Sequence, residues 1–422
     1  MRILLYGTNY APELTGIGKY TGEMATWLAA RGHDVHVLTA MPYYPEWQVH
    51  PKYKGKVWHT EQLEGVKVHR VPLYVPGEVS AIKRIVHECS FLFSSAPFWF
   101  GFLFKKKFDV VFCMAPPFHL SLAPWIYNFF KPGVWINHIQ DLQVDAAKDL
   151  GMIKNKRFLD IMFSLERFFL KKGTCVSTIS EGMSKKILNK GIVAENMLFF
   201  PNWVDSEVIF PLSKEESLRQ EMGFSQQDQV ILYSGNLGEK QGLDAIIRIA
   251  KTFTSQTEVK FVICGTGGAK EKLMQQAASA ELQNVFFFPL QPYEKLSALL
   301  AIADLHLVLQ KGSAADLVMP SKLTGILAAG GCALVTALPG TTLYEVIKEH
   351  DMGILVSPDD EQALRDGIAR GLQSDSSHIK QRARDYAEQY LDKNQILQTL
   401  EGTLRELIQE RNTERLIDYK KA

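Results

Sequence analysis

The sequence predicts an α/β protein of two doubly wound domains, and three observations carry that prediction. The chain has 422 residues, too many for one ordinary core and enough for two domains of roughly 200 each. Short continuous apolar runs alternate with amphipathic segments along most of its length, as parallel strands covered on both faces by helices require. Several of those runs end in glycine-bearing turns that open the next helix.

The first forty residues set the pattern. Residues 2–6 form a strand ending in Gly7, and a loop runs through Asn9, Pro12 and Gly16. Ile17, Tyr20, Met24, Trp27 and Leu28 then fall on one helical face, which Gly32 terminates. Residues 34–39 are the second strand. Further strands are expected at 66–71, 109–114, 134–138 and 175–179, and Ser180 is a natural N-cap for the helix that follows. The alternation breaks at Pro201-Asn202-Trp203-Val204-Asp205, the expected linker. It restarts with strands at 230–234, 260–264, 285–288, 305–309, 333–336 and 354–356. Between them lie helices at 243–251, 269–280, 293–303, 321–329, 343–349 and 361–372. A charged helical tail runs from about 379 to 421. The expected division is therefore 1–203, 204–385 and 386–422.

Hydrophobic residues make up 46% of the chain, so each half can bury a core, and the net charge of +1 gives no global attraction to a polyanion such as a nucleic acid. Cys89, Cys113, Cys175, Cys264 and Cys332 are odd in number, widely spaced and without zinc-ligand spacing, which suits reduced thiols in the cytoplasm. The N-terminal apolar run is too short for a signal peptide. The most membrane-like stretch, 85–104, is interrupted by His87, Glu88 and Pro97, which argues against a span. It follows Lys83-Arg84, carries Phe91, Phe93, Phe98, Trp99, Phe100, Phe102 and Phe104, and precedes Lys105, Lys106 and Lys107. A second basic and aromatic segment, 154–172, includes Arg167, Phe168 and Lys171. Such mixtures suit an anionic membrane surface, with a helix packed on the sheet behind a basic outer edge as the alternative. The expected location is cytoplasmic, peripheral on the inner face of the cytoplasmic membrane.

Three motifs point to phosphate chemistry. Gly235-Asn236-Leu237-Gly238-Glu239-Lys240-Gln241-Gly242 links a strand to a helix, so its backbone can approach a phosphate and Lys240 can add charge. Gly265-Thr266-Gly267-Gly268 offers close approach to a base or ribose. Pro320-Ser321-Lys322 opens a helix: proline suits the first turn, and Ser321 can cap it or bind an anion. Lysine there has the wrong sign for the helix dipole, a conflict that a bound diphosphate removes. Separately, Ile136-Asn137-His138-Ile139-Gln140-Asp141 ends a strand with polar groups, and His138 shares a strand face with Gln140.

These motifs, with Pro12-Glu13…Gly16-Ile17-Gly18, Ile179-Ser180-Glu181 and Ala328-Ala329-Gly330, occur in an order and spacing that resemble glycosyltransferase family 4 over nearly the whole chain. The resemblance implies the GT-B fold: two Rossmann-like domains with a cleft between them and a C-terminal helix crossing back. It implies a nucleotide-sugar donor on the C-terminal domain, an acceptor facing the N-terminal one, retention of configuration, and no required metal or cofactor. It places Gly16, Gly235, Asn236, Lys240, Gly265, Pro320, Ser321 and Lys322 around the donor, and Asp141, His138 and Lys322 near the reacting centre. In the best register Gln140, not His138, falls on the family's histidine. The family's glutamate pair aligns with Leu317 and Gly325, with Asp316 out of register. Asn236 and Gln241 stand where arginine and lysine are usual, shifting phosphate charge onto Lys240 and Lys322.

Within the family the chain resembles the fucosaminyl- and fucosyltransferase branch and the enzymes of colanic acid assembly. That implies GDP-fucose as donor and an undecaprenyl-diphosphate saccharide as acceptor in exopolysaccharide or lipopolysaccharide biosynthesis. The acceptor and membrane side would then involve Phe102, Phe104, Lys105, Lys106, Lys107, Arg167, Phe168 and Lys171. A GT-B nucleotide-sugar epimerase and a non-catalytic binding subunit are the alternatives.

Overall fold

The computed structural model describes the chain except residues 14–15, 79, 150–152, 154, 239–240, 313–319 and 422, and except the side chains of 81, 149 and 414–421. It forms two compact units, Met1–Pro201 with Leu397–Ala422, and Asn202–Ile396.

The first unit contains β1 (Arg2–Tyr6), α1 (Gly16–Ala30), β2 (Asp34–Ala40), β3 (His59–Leu63), β4 (Val66–Val71), α2 (Ala81–Leu103), β5 (Val110–Ala115), α3 (Leu122–Phe130), β6 (Val134–Ile139), α4 (Gln143–Asp149), α5 (Lys156–Lys172), β7 (Cys175–Thr178), α6 (Glu181–Asn189) and β8 (Met197–Phe199). Its sheet order is β3-β4-β2-β1-β5-β6-β7-β8. Every neighbouring pair is parallel except β3–β4, a hairpin. Glu64 and Gly65 make its turn with φ of 47° and 81°, the left-handed pair that a two-residue hairpin needs. The edge strand β3 alternates half-buried with exposed residues, so it has no apolar run to announce it.

Helix α2 covers one face of this sheet. Tyr6 of β1 packs against Phe91 and Trp99, and its hydroxyl pairs with Ser95 at 2.9 Å. Phe102 is corrected here from a membrane residue to a core residue. It is 1% exposed and its ring meets His69, Trp99 and Phe108. Helical periodicity is the reason: Phe93 lies nine residues earlier, about two and a half turns, and so points the opposite way.

The second unit contains β9 (Gln229–Asn236), α7 (Asp244–Ala250), β10 (Val259–Thr266), α8 (Lys270–Ser279), β11 (Val285–Phe288), α9 (Leu296–Leu300), β12 (Leu305–Val308), α10 (Ser321–Ala328), β13 (Ala333–Thr336), α11 (Thr342–His350), β14 (Ile354–Val356), α12 (Glu361–Gln373) and α13 (Ser377–Tyr390). Its sheet, β11-β10-β9-β12-β13-β14, is parallel throughout. The last helix, α14 (Lys393–Lys421), begins in this unit and continues as part of the first. There Glu401 accepts hydrogen bonds from Arg31 (2.5 Å), His33 (3.0 Å) and Arg405 (2.7 Å).

Two arginines fix the framework of the second unit. Arg219, 0% exposed, donates to the carbonyls of Ile302, Ser225 and Asp228 and to the Asp304 carboxylate at 2.7–2.9 Å. Its Nε and both terminal nitrogens are thereby engaged. Arg384 of α13 donates to the Ala328 carbonyl at 2.6 Å and so caps the C-terminus of α10. The chain then turns at Gly330 (φ +60°) and passes so close to His306 that a Cβ on Gly331 would lie 2.6 Å from its Nε2.

Gly331→Ala should therefore overpack the α10–β13 turn and cost about 1–3 kcal/mol in urea unfolding. Gly402→Ala, in α14 with nothing within 4 Å of the new methyl, should instead stabilise by up to about 1 kcal/mol.

Candidate active site

In the second unit the connections from β9 run to one side of the sheet and those from β12 to the other. The crevice beyond the carboxyl ends of strands at such a switch point is where open α/β sheets bind ligands. Three pieces of chain meet there: Gly235 and Asn236 ending β9, Gln310 and Lys311 after β12, and the start of α10. Gly235 has φ +140°, and a Cβ on it would stand 3.4–3.5 Å from Cε and Nζ of Lys322.

Lys322 is the distinctive group. Its residue is half-buried, but Nζ is shielded from solvent and makes no hydrogen bond among the described residues. The ammonium sits 3.7 Å from the ring centroid of Tyr233, whose hydroxyl donates to the Asn236 carbonyl at 2.9 Å. Burial pushes the Lys322 pKa down to about 7. A cation at the positive end of a helix, out of water and without a counter-ion, is penalised three ways. A bound diphosphate relieves all three.

Several expected roles change. Ser321 does not cap α10: Pro320 is the N-cap, no side chain caps the helix, and Ser321 is its first residue. Gly265 is needed for packing. A Cβ there would lie 1.9 Å from the Gly235 carbonyl, and one on Gly267 would lie 2.5 Å from that of Leu237. These glycines let the ends of β9 and β10 approach each other. Asn236 is exposed at the end of β9. Lys240, Asp316 and Leu317 lie outside the described residues.

In the first unit β6 ends in His138, Gln140 and Asp141. His138 is 1% exposed, with Nδ1 2.8 Å from Ser177 Oγ and Nε2 2.9 Å from the Gln140 amide nitrogen. The amide donates to Nε2, so Nδ1–H donates to the serine. Burial pushes the imidazole pKa down to about 3. The expectation of a catalytic His138 is thus corrected: it is a neutral strut under Gln140. Asp141 stands exposed at the strand end. Gly16 (φ +59°) opens α1 and borders a cavity of about 290 Å³.

Phe104 (77% exposed), Lys105, Lys106, Arg167, Phe168 and Lys171 are on the surface, and Lys107 is half-buried. The sequence reading missed α3, where Trp125, Ile126, Phe129 and Phe130 are exposed and Trp125 meets Phe168 at 5.4 Å. The signal was their i, i+1, i+4, i+5 spacing, an apolar stripe on a helix. No described helix is long and apolar enough to cross a membrane.

Comparison with known proteins follows the same division. Residues 15–203 match the family model described as a glycosyl transferase 4-like domain, and residues 214–390 that of glycosyl transferases group 1. The chain is 40% identical over 414 residues to the putative colanic acid biosynthesis glycosyl transferase WcaI of Escherichia coli K12, covering 96% of this chain and 100% of that one. It is 19% identical to the N-acetyl-alpha-D-glucosaminyl L-malate synthase of Bacillus anthracis, over 90% of this chain and 91% of that one. Among solved structures, sucrose-phosphate synthase from Thermosynechococcus elongatus superposes with a TM-score of 0.75 at 14% identity, covering 97% and 99% of the two chains. HepE from Anabaena, in complex with UDP and glucose, gives 0.68 at 15% identity, covering 96% and 99%. These two likenesses establish the shared GT-B fold.

The Lys322 environment makes a signed prediction. Its folded pKa of about 7 lies below the ordinary lysine value of 10.5. The cost of burying the charge is therefore complete below pH 7 and fades as pH rises towards 10.5. Lys322→Met should raise Tm at pH 6, and its advantage over the parent should shrink steadily between pH 7 and 10. An advantage independent of pH would contradict the assignment.

Proposed function

The chain belongs to the group 1 glycosyl transferases, and on that footing we propose that it transfers fucose from GDP-fucose, with retention, to an undecaprenyl-diphosphate saccharide in colanic acid assembly. The Escherichia coli relative, named for colanic acid biosynthesis, supports the pathway. The resemblance of Gly235-Asn236…Gln241-Gly242 to the fucosyltransferase branch supports the donor. The observation that carries the reading is the ammonium of Lys322, without a hydrogen-bond partner among the described residues, at the switch point of the second unit.

Charge gathers on the leaving diphosphate as the glycosidic bond breaks. The Lys322 ammonium and the amide end of α10 meet it without reorganising, which lowers the barrier in a site shielded from water. Gly235, lacking a Cβ, leaves the lysine's end accessible. The acceptor hydroxyl attacks the anomeric carbon from the leaving-group side and passes its proton to the departing diphosphate, giving retention. The proposal assigns no metal or cofactor.

Membrane attachment belongs to the same reading. Phe93, Phe100 and Phe104 on and after α2, Phe129 and Phe130 on α3, and Ile161 and Phe168 on α5 are exposed. Lys105, Lys106, Arg167 and Lys171 lie among them in sequence and are also exposed. Rings suit the headgroup layer and cations suit anionic lipid phosphates, so the occupant of this face is the anionic surface of a bilayer.

Two measurements test these statements. In a thermal-shift panel of GDP-, UDP- and dTDP-sugars, GDP-fucose should give the largest stabilisation. Lys322→Ala should weaken its binding by about tenfold to a hundredfold, the loss of a charge-assisted contact. Stabilisation by UDP-sugars alone would overturn the donor, and no response to any member would overturn the site. In flotation with phosphatidylglycerol vesicles, the full chain should rise with the lipid. Replacing Lys105, Lys106 and Phe104 together should leave it at the bottom; undiminished flotation would refute the surface.

A further inference from the structure

Two cavities of the first unit share a wall that the proposed reaction has not yet used. One, of about 290 Å³, lies beyond the carboxyl ends of β1, β2 and β5, at the switch point of that sheet, and is bordered by Asn9, Tyr43, Arg84 and Glu88. The other, of about 450 Å³, is bordered by Gln48, Tyr53, Lys54 and Lys56. Trp47 lines both.

The conformation of Trp47 is deliberate in physical terms. Its φ is +52°, a left-handed backbone that a bulky side chain disfavours and that persists only where its surroundings impose it. Those surroundings are explicit. One oxygen of the buried Glu13 carboxylate accepts from the amides of Tyr43 and Tyr44, each at 3.0 Å, and the other accepts from Asn9 at 2.9 Å. The Gln48 and His50 amides close the loop on the Tyr43 and Pro42 carbonyls at 3.2 and 2.8 Å. The indole rests against Tyr43 at 5.6 Å and His87 at 5.3 Å. It remains half-buried, and its N–H makes no hydrogen bond among the described residues.

We propose that Trp47 divides two adjoining sugar subsites, so that the acceptor is recognised through at least two saccharide rings. The proposal rests on the transferase reading above and specifies its acceptor. The C–H face of a pyranose is weakly positive and packs on the negative face of an aromatic ring, while its hydroxyls need fixed polar groups at the rim. The first cavity supplies both. Arg84 is anchored through Nε to Glu88 at 3.1 Å, and its terminal nitrogens make no hydrogen bond among the described residues. The second cavity offers the polar side chains of Gln48 and Lys54. One cavity alone would read a single ring; a shared indole wall lets one chain of sugars occupy both.

Saturation-transfer NMR on the full chain without nucleotide tests this, using methyl β-glucoside, methyl β-galactoside, cellobiose, lactose and cellobiouronic acid as probes. At least one disaccharide should show saturation on both rings and bind about tenfold or more tighter than the methyl glycoside of its terminal sugar. Trp47→Ala should abolish binding of both. Trp47→Phe should keep the single-ring contact, guarding against a folding defect, and Lys54→Ala should weaken only the disaccharide. Equal affinity for one ring and two, binding indifferent to Trp47→Ala, or no binding across the panel would overturn the proposal. The nucleotide-sugar thermal shift should be unchanged in Trp47→Ala. Its absence from the parent chain would sink the transferase reading while leaving the sugar subsites standing on their own result.

Discussion

A parallel sheet must be covered on both faces, and that requirement governs everything in this molecule that faces a ligand. Apart from the β3–β4 hairpin, the strands of each sheet run parallel, and connections over its faces return the chain to the same starting end, so the carboxyl ends of the parallel strands gather along one side. Where the connections change side, two loops diverge and leave a crevice. The second unit puts Gly235, Lys311 and the start of α10 there, and the first unit puts Asn9, Gly16 and Pro116 there. Close approach at these ends is possible only without side chains: Gly265 fits against the Gly235 carbonyl, and Gly7 leaves no room for more than hydrogen beside Met114.

The crevice at the start of α10 is built at the expense of stability. Tyr233 and the α10 terminus hold an ammonium that is shielded from solvent and, among the described residues, has no hydrogen-bond partner. Arg384 at the other end of the same helix does the conventional thing, neutralising carbonyls with a cation. One short helix thus carries a favourable charge at its C-terminus and an unfavourable one at its N-terminus. The first secures the element, and the second is the group that a phosphate would complete.

Legibility followed the physics of each element. Strands buried on both faces, such as β5 and β13, were readable as continuous apolar runs. The edge strand β3 was not, because pairing and a hairpin turn make it, and apolar content does not; β8 is apolar but only three residues long, which gave little signal by itself. Helix α3 was hidden by its shortness. At the sites, the lysine at the start of α10 was legible as a sign conflict with the helix dipole. His138 and Gln140 were legible as sharing a face, but that both would be buried, with His138 held by Ser177 and Phe200, depended on residues far away in sequence. Phe102 and Phe104 differ by two positions and by the whole thickness of a helix, a distinction that needs the phase of α2. The cavities around Trp47 had no signature at all, since they arise from a loop closed by Glu13, thirty residues upstream of the backbone it binds.

The return of α14 to the first unit has a consequence for how the protein is made. A ribosome that has synthesised Pro201 has produced the complete sheet of that unit but not the segment from Leu397 onward, which carries Glu401 to Arg31 and His33. The second unit is continuous in sequence and can close as it emerges. The first must wait, with one face of its α1 region unfinished, until the segment from Leu397 onward has followed the whole second unit out. The domain made first is therefore completed after the domain made second, by the segment that carries Glu401.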